Sequence, residues 1–429
     1  MKSFFTCLLV LVCLINLQAQ DLLSRAPYLQ KLAADQVTVR WRSFSPGTGV
    51  VRYGTSPENL DQSVEGEAPI ATDHEVVLHD LQPNTKYYYQ VLVGGTEIGN
   101  KELQYFTTAP APGSNKELHF WVIGDAGTGN ATQQAVLQSY LDFQDRNEPE
   151  LTLMLGDNAY VTGLDAEYQT NLYDIYSGFY SHCAFYPTFG NHDSYSTNPL
   201  TQTGAYYSNF NLPADGELGG VPSGTEAYYS FNYGNVHFVS LDGNMVQTLL
   251  HGSAMADWLR EDLSQNKQKW TVAMWHHPPY TKGSHDSDAE DELIYMREVI
   301  NPILEEYGVD LGLGGHSHNY ERSFLINGHY GFADSFDPEQ HIVFPGDGRI
   351  NGDGEYLKTD RKGTIYAVAG TSGGQLGGGP MDHPAMVLST DSAGSFLLDV
   401  SDNELRGRFL TVSGNIIDDS VIRKEQNTS

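Results

Sequence analysis

The chain has 429 residues, enough for two domains and a sizeable core. Its 54 acidic residues against 24 lysines and arginines leave a net charge of −30. That balance argues against a nucleic-acid binder, which needs a basic footprint, and reads most simply as surface solubility.

At the amino terminus Lys2 precedes an apolar run, Phe4 to Leu17, in which only Thr6 and Asn16 are polar. With a processing site near Ala19, residues 1–20 read as a cleaved secretory signal peptide and predict a secreted or periplasmic protein. The run is too short to span a bilayer, and no later stretch is long enough, so no membrane span is expected. Cys7 and Cys13 would leave with the signal, so Cys183 has no partner for an internal disulfide.

Residues 22–110 read as all-β. Val37, Val39 and Trp41 alternate with Thr38, Arg40 and Arg42, as in a half-buried strand. Leu81, Pro83 and Tyr87 have the spacing of a tyrosine corner, and the segment resembles a fibronectin type III domain. Residues 111–115 form a Pro- and Gly-containing linker. From 116 to 412 strands alternate with helices. Strands are predicted at Leu118–Ile123, Leu151–Leu155, Val236–Leu241, Trp270–Trp275 and Val309–Leu313, and helices at Thr132–Asp145, Ala254–Gln265 and Asp291–Tyr307. Residues 327–362 are Gly- and Asp-rich and read as a long excursion that could shape a substrate pocket. Residues 413–429 read as a polar, loose tail.

Five motifs follow predicted strands in this second part. They are Gly124-Asp125-Ala126-Gly127, Gly156-Asp157-Asn158-Ala159-Tyr160, Gly190-Asn191-His192-Asp193, His276-His277-Pro278-Pro279-Tyr280 and Gly315-His316-Ser317-His318. Any one alone is an ordinary turn. Together they describe one sheet edge where ligands converge, with enough donors for two metal ions. A bridging ligand must be anionic and bind two metals through two oxygens; Asp157, which follows a predicted strand and has a partner motif on either side, is the candidate. Asp125 is a terminal carboxylate, Asn191 a neutral oxygen donor, and His276, His316 and His318 complete the set. The glycine before each acidic or amide ligand is expected to let the backbone turn sharply. His119 and His237 lie inside strands and read as structural.

These motifs resemble those of the purple acid phosphatases, within the calcineurin-like metallophosphoesterases. The segment His318-Asn319-Tyr320-Glu321-Arg322 continues the resemblance, and the fibronectin-like domain is similar to that of the longer members. The resemblance implies an α/β (α+β) fold: a four-layer sandwich of two mixed β-sheets flanked by helices, preceded by the small all-β sandwich. It also implies the partition of the metals. The first motif lacks the histidine most metallophosphoesterases carry there, and Tyr160 would replace it as a hard anionic ligand suited to Fe(III). Asp125, Asp157, Tyr160 and His318 would hold Fe(III), and Asp157, Asn191, His276 and His316 a divalent ion (Zn, Fe or Mn). Val272 stands four residues before His276 rather than three, so Pro278 and Tyr280 set the register, with His277 the lesser choice. His192 and His285 match the family's outer-sphere histidines and are the expected proton donors or phosphate-orienting groups. The implied activity is hydrolysis of a small phosphate monoester by a metal-activated hydroxide, of acid phosphatase type. A phosphodiesterase on the same site and a catalytically silent adhesion protein are the competing readings.

Overall fold

The computed structural model describes residues 22–68, 70–99, 104–143, 147–244, 253–359 and 362–424. The expected signal peptide, residues 1–20, lies outside the described residues. Among those described, no helix is long and apolar enough to cross a membrane.

Two compact units emerge. One runs to Ala111 and also includes Tyr176–Phe185; the other comprises Pro112–Ile175 and the chain from Tyr186 onward. In the first, a sheet of Leu23–Gln30, Val37–Gly47 and Ala71–Leu78 accompanies a second of Gln62–Glu65, Gly49–Gly54, Lys86–Val93, Thr96–Ile98 and Tyr105–Thr107. Among the described residues this unit's strand pairings are antiparallel. The alternation read around Trp41 buries Val37, Val39 and Trp41, with Trp41 stacked on His74. The Gln82 N–H donates to Tyr87 Oη at 3.0 Å, the hydrogen bond that defines a tyrosine corner. Tyr176–Phe185, which sequence order alone assigns elsewhere, joins this unit. Tyr89 Oη donates to the Ser181 carbonyl at 2.7 Å, and Tyr28 packs on Phe185.

The second unit contains two seven-stranded mixed sheets. One runs in the order Ala184–Pro187, Leu151–Met154, Leu118–Ile123, Gly394–Val400, Glu404–Thr411, Ile416–Lys424, Tyr356–Lys358. The other runs Tyr229–Tyr233, Val236–Ser240, Trp270–Met274, Leu311–Gly314, Ile365–Ala369, Tyr320–Ser323, Met386–Thr390, with parallel pairings from Val236–Ser240 through Ile365–Ala369. Trp270–Met274 is buried throughout, which its continuous apolar run anticipates. The helix Ala131–Asp142 starts at Asn130, whose side chain accepts the Gln133 N–H. The predicted helix over 291–307 is present, with a π-type stretch at Met296–Ile300. It lies just before Pro302, which can donate no backbone hydrogen bond.

The expectation of a loose tail at 413–429 is corrected by the strand Ile416–Lys424, which lies inside the first sheet. Its polar residues misled because they are paired. Asp418 is buried against Arg322, with Nε 2.5 Å and Nη2 2.9 Å from its carboxylate, and Tyr320 Oη donates to it at 2.8 Å. Among its described residues, the 327–362 excursion carries only short elements: Ala333–Ser335, Pro338–His341 and Tyr356–Lys358.

The last strand also closes a buried ion cluster. Asp310 Oδ1 lies 2.9 Å from Lys358 Nζ, and its Oδ2 lies 2.7 Å from Lys424 Nζ. Burial alone would raise the Asp310 carboxyl, but the two ammonium groups outweigh it and hold it below its ordinary value. A depressed carboxyl contributes stability above the unfolded-state value and loses it as pH falls through the folded one. Asp310→Asn is therefore expected to destabilise by about 3–5 kcal/mol at neutral pH, since it takes the carboxylate charge from the buried Lys358 ammonium and from the partly exposed Lys424. The gap to wild type should narrow below about pH 4, in denaturant titrations across pH. Equal stability at neutral pH would contradict this.

Candidate metal centre

Asp125, Asp157 and His316 follow the strands Leu118–Ile123, Leu151–Met154 and Leu311–Gly314 and share a feature the sequence reading placed elsewhere. Their own φ angles are positive (56°, 51° and 64°), a sparsely populated region for non-glycine residues and a common signature of functional sites. Of the four glycines that precede a candidate ligand directly, Gly124, Gly156, Gly190 and Gly315, only Gly156 has positive φ, at 89°. The glycines are expected to let the backbone turn sharply without a side-chain clash; they do avoid the clash, while the positive φ of the turn falls mainly on the ligands themselves. A Cβ on Gly190 would sit 2.1 Å from the Asp157 backbone nitrogen.

The donor atoms meet in two groups. In the first, Tyr160 Oη donates to Asp125 Oδ1 at 3.1 Å and lies 3.3 Å from His318 Nε2. His318 Nδ1 lies 2.9 Å from the Gln375 carbonyl, to which it donates, so Nε2 is the nitrogen turned to the site. In the second, His276 Nε2 and His316 Nδ1 stand 2.9 and 3.1 Å from Asn191 Oδ1. His276 Nδ1 faces the Leu155 carbonyl at 2.8 Å and His316 Nε2 faces Glu290 Oε2 at 3.2 Å. Asp157 Oδ1 accepts the His192 backbone N–H at 2.9 Å and lies 3.3 Å from His276 Nε2. Each imidazole thus turns a lone pair toward other oxygen and nitrogen acceptors. Such a convergence is poorly satisfied without a cation, and these residues fit metal ions. Among the described residues three groups are close enough to hold an ion: Asp125, Asp157 and His276; His276, His277 and His316; and His285, Glu290 and His316.

Without a cation a proton takes its place. Burial would lower His276, but the Asp157 and Asp125 carboxylates raise it to about 9. Burial would raise Asp157, but His276 and the His192 contacts hold it well below the carboxylate range. Metal binding would release that proton. Burial lowers His316 to about 4, with His276 and His285 adding to the effect against the opposing Glu290 hydrogen bond, so His316 is neutral as a ligand must be. Burial, then the Asp125 and Asp157 carboxylates, push the Tyr160 phenol well above its usual range.

Both expected outer histidines stand at this centre. His192 Nδ1 lies 2.6 Å from the Val161 carbonyl, its ring is 4.3 Å from Tyr160, and its Nε2 is 3.9 Å from Asp157 Oδ2. The His285 ring lies 3.7 Å from that of His316. His277 is also close, its buried ring 4.5 Å from His316 and its Nδ1 without a hydrogen-bond partner. His119 and His237 instead pair with Asp399 and Asp262, each at 2.7 Å.

Two residues were missed. Asp193 is buried and accepts from the Gly190 N–H (2.9 Å), the Asn158 N–H (3.2 Å), Asn158 Nδ2 (2.9 Å) and Tyr168 Oη, tying the second and third motifs together. Burial, then the neighbouring Asp157, raise it to about 7. Its place inside Gly190-Asn191-His192-Asp193 was the available signal. Glu290 reaches both His285 and His316, and its only sequence signal is its position five residues after His285.

The family described as calcineurin-like phosphoesterase matches residues 118–320, and that described as purple acid phosphatase, N-terminal domain, matches 27–108. The chain is similar to a phosphoenolpyruvate phosphatase of Allium cepa, 26% identical over 359 residues, covering 80% of this chain and 67% of that protein. It is similar to purple acid phosphatase 15 of Arabidopsis thaliana, 28% identical over 320 residues, covering 64% of this chain and 56% of that one. It thus spans between about half and two thirds of these curated relatives' length. Among solved structures, a purple acid phosphatase from yellow lupin (Lupinus luteus) seeds superposes with a TM-score of 0.73, 19% identity, and coverage of 94% of this chain and 75% of that one. At that identity the likeness concerns the fold.

Proposed function

Since this chain is a purple acid phosphatase-like metallophosphoesterase of the calcineurin-like superfamily, we propose that it hydrolyses small phosphate monoesters at a two-ion centre, with an acid optimum and outside the cytoplasm. What supports this reading is that donors from all five motifs come close together: Tyr160 Oη meets Asp125 Oδ1 and His318 Nε2, His276 and His316 meet Asn191 Oδ1, and Asp157 Oδ1 lies 3.3 Å from His276 Nε2. Asp125, Asp157, Tyr160 and His318 form the site for Fe(III), with Tyr160 the hard anionic donor. Asp157, Asn191, His276 and His316 form the site for the divalent ion, Zn, Fe or Mn. When bound, the ions would supply positive charge that polarises the phosphate and lowers the pKa of water.

The chain's own residues do the rest. Leu155, Gln375 and Glu290 fix the ring orientations through the far nitrogens of His276, His318 and His316. Asp193 holds the Gly190 and Asn158 backbones in place, which sets the reach of Asn191 and Asp157. His192 and His285 flank the centre, where they orient phosphate oxygens and protonate the departing alcohol oxygen. The apolar run at Phe4–Leu17 supports export.

The test is turnover of matched aryl phosphate monoesters and bis-aryl diesters by the metal-loaded protein across pH. Faster monoester hydrolysis with an acidic optimum is expected. A diester preference would move the activity to phosphodiesterase, and no turnover of either ester would remove the enzymatic reading.

A further inference from the structure

Glu290 lies outside every metal motif, yet its carboxylate meets two of the centre's histidines. His285 Nδ1 stands 2.9 Å from both Oε1 and Oε2, and His316 Nε2 stands 3.2 Å from Oε2. The Asp286 backbone N–H adds a contact to Oε1 at 3.2 Å. The two imidazole rings lie 3.7 Å apart, tilted by 33°. Glu290 is the residue immediately before the helical segment Asp291–Tyr295, so its backbone is anchored and its side chain's reach is set.

We propose that Glu290 is a positioning residue that holds His316 and His285 as one unit, so that a single carboxylate sets both the divalent site and the leaving-group proton donor. Accepting from His316 Nε2–H leaves Nδ1, 3.1 Å from Asn191 Oδ1, as the ligating nitrogen. Accepting from His285 Nδ1–H leaves Nε2 as the nitrogen able to reach the ester. As the P–O bond to the alcohol breaks and the bond from phosphorus to the attacking water oxygen forms, the Nε2 proton passes to the departing oxygen. The Nδ1 proton stays on His285, donated in a hydrogen bond to Glu290. The His285 half of the proposal rests on the phosphoesterase reading; the His316 half does not.

The test uses the full chain with Glu290→Ala, Glu290→Asp and Glu290→Gln. Titration of the metal-depleted proteins with Mn²⁺ or Zn²⁺ should show divalent affinity weakened about 10- to 100-fold in the alanine and aspartate variants, the scale of losing a partner behind a ligating histidine. Aspartate keeps the charge but falls short by one methylene. Glutamine keeps the length and can present its carbonyl at the Oε2 position, so it should recover most of the affinity. Its amide would then face the Asp286 N–H and loosen His285 alone. In the alanine variant kcat should fall about 10²-fold for alkyl phosphates and less for esters of acidic phenols. Combining it with His285→Ala should add little on alkyl esters, since the two act through one proton. A folded Glu290→Ala protein with wild-type divalent affinity and unchanged leaving-group dependence would overturn the proposal, even if its Tm fell. Should the alanine variant not fold, a glutamine variant with unchanged leaving-group dependence overturns the His285 half. If the wild type turns over no phosphate ester, the functional reading fails, and the metal titration still decides the His316 half.

Discussion

Asp157→Asn is expected to yield a folded protein that holds neither ion and has lost at least about 10³-fold in phosphate-ester turnover. In the proposed arrangement this carboxylate would be the one anionic group common to both ions, and an amide could not replace it as a bridge. Its Oδ1 lies 3.3 Å from His276 Nε2 and accepts the His192 N–H at 2.9 Å. The loss should match or exceed that of removing one preorganised electrostatic group from a transition state. The fold should survive because Asn tolerates positive φ at least as well as Asp, and residue 157 sits at 51°. Elemental analysis and circular dichroism check both halves. A variant that keeps two equivalents of metal and normal turnover would end the bridging assignment.

Tyr160→Phe separates the iron reading from the phosphoesterase reading. The ring should stay in place, because Tyr160 N–H donates to the Gly127 carbonyl at 2.7 Å and its own carbonyl accepts from Asn171 Nδ2 at 2.9 Å. Only the hydroxyl beside Asp125 Oδ1 and His318 Nε2 is removed. Burial and the two carboxylates disfavour a bare phenolate, so the anion needs a strongly charged ion next to it. The wild type loaded with Fe(III) should absorb in the visible through a tyrosinate charge-transfer band. The variant should be colourless and bind the trivalent ion more weakly. A colourless wild type carrying two zinc or manganese ions would contradict the iron assignment and leave the rest standing.

The donors that face the centre were legible because each sits where a buried strand ends, and an apolar run followed by Gly-Asp or Gly-x-His is visible in one dimension. The tyrosine corner at Leu81–Tyr87 was legible for a similar reason: its partners are close in sequence. What supports the donors was not. His276 and His318 are oriented by the carbonyls of Leu155 and Gln375, and a backbone carbonyl leaves no trace in residue type. Glu290 is an acidic residue in a chain with 54 of them, and only its approach to His285 and His316 distinguishes it. The strained φ angles of Asp125, Asp157 and His316 were assigned to the preceding glycines because glycine is the residue type that advertises such angles. The strand Ile416–Lys424 was hidden because Asp418 reads as solvent-facing until Arg322, nearly a hundred residues earlier, is placed against it. Tyr176–Phe185 likewise joins the N-terminal unit through contacts such as Tyr89 to Ser181, which no local pattern encodes.

A pair of ions joined by one carboxylate is tested most directly by metal stoichiometry. Elemental analysis of the purified full chain, alongside Asp157→Asn, should give two equivalents per wild-type chain, one of them iron, and close to none in the variant. A wild-type chain that saturates at one equivalent, or a variant that still holds two, would contradict it.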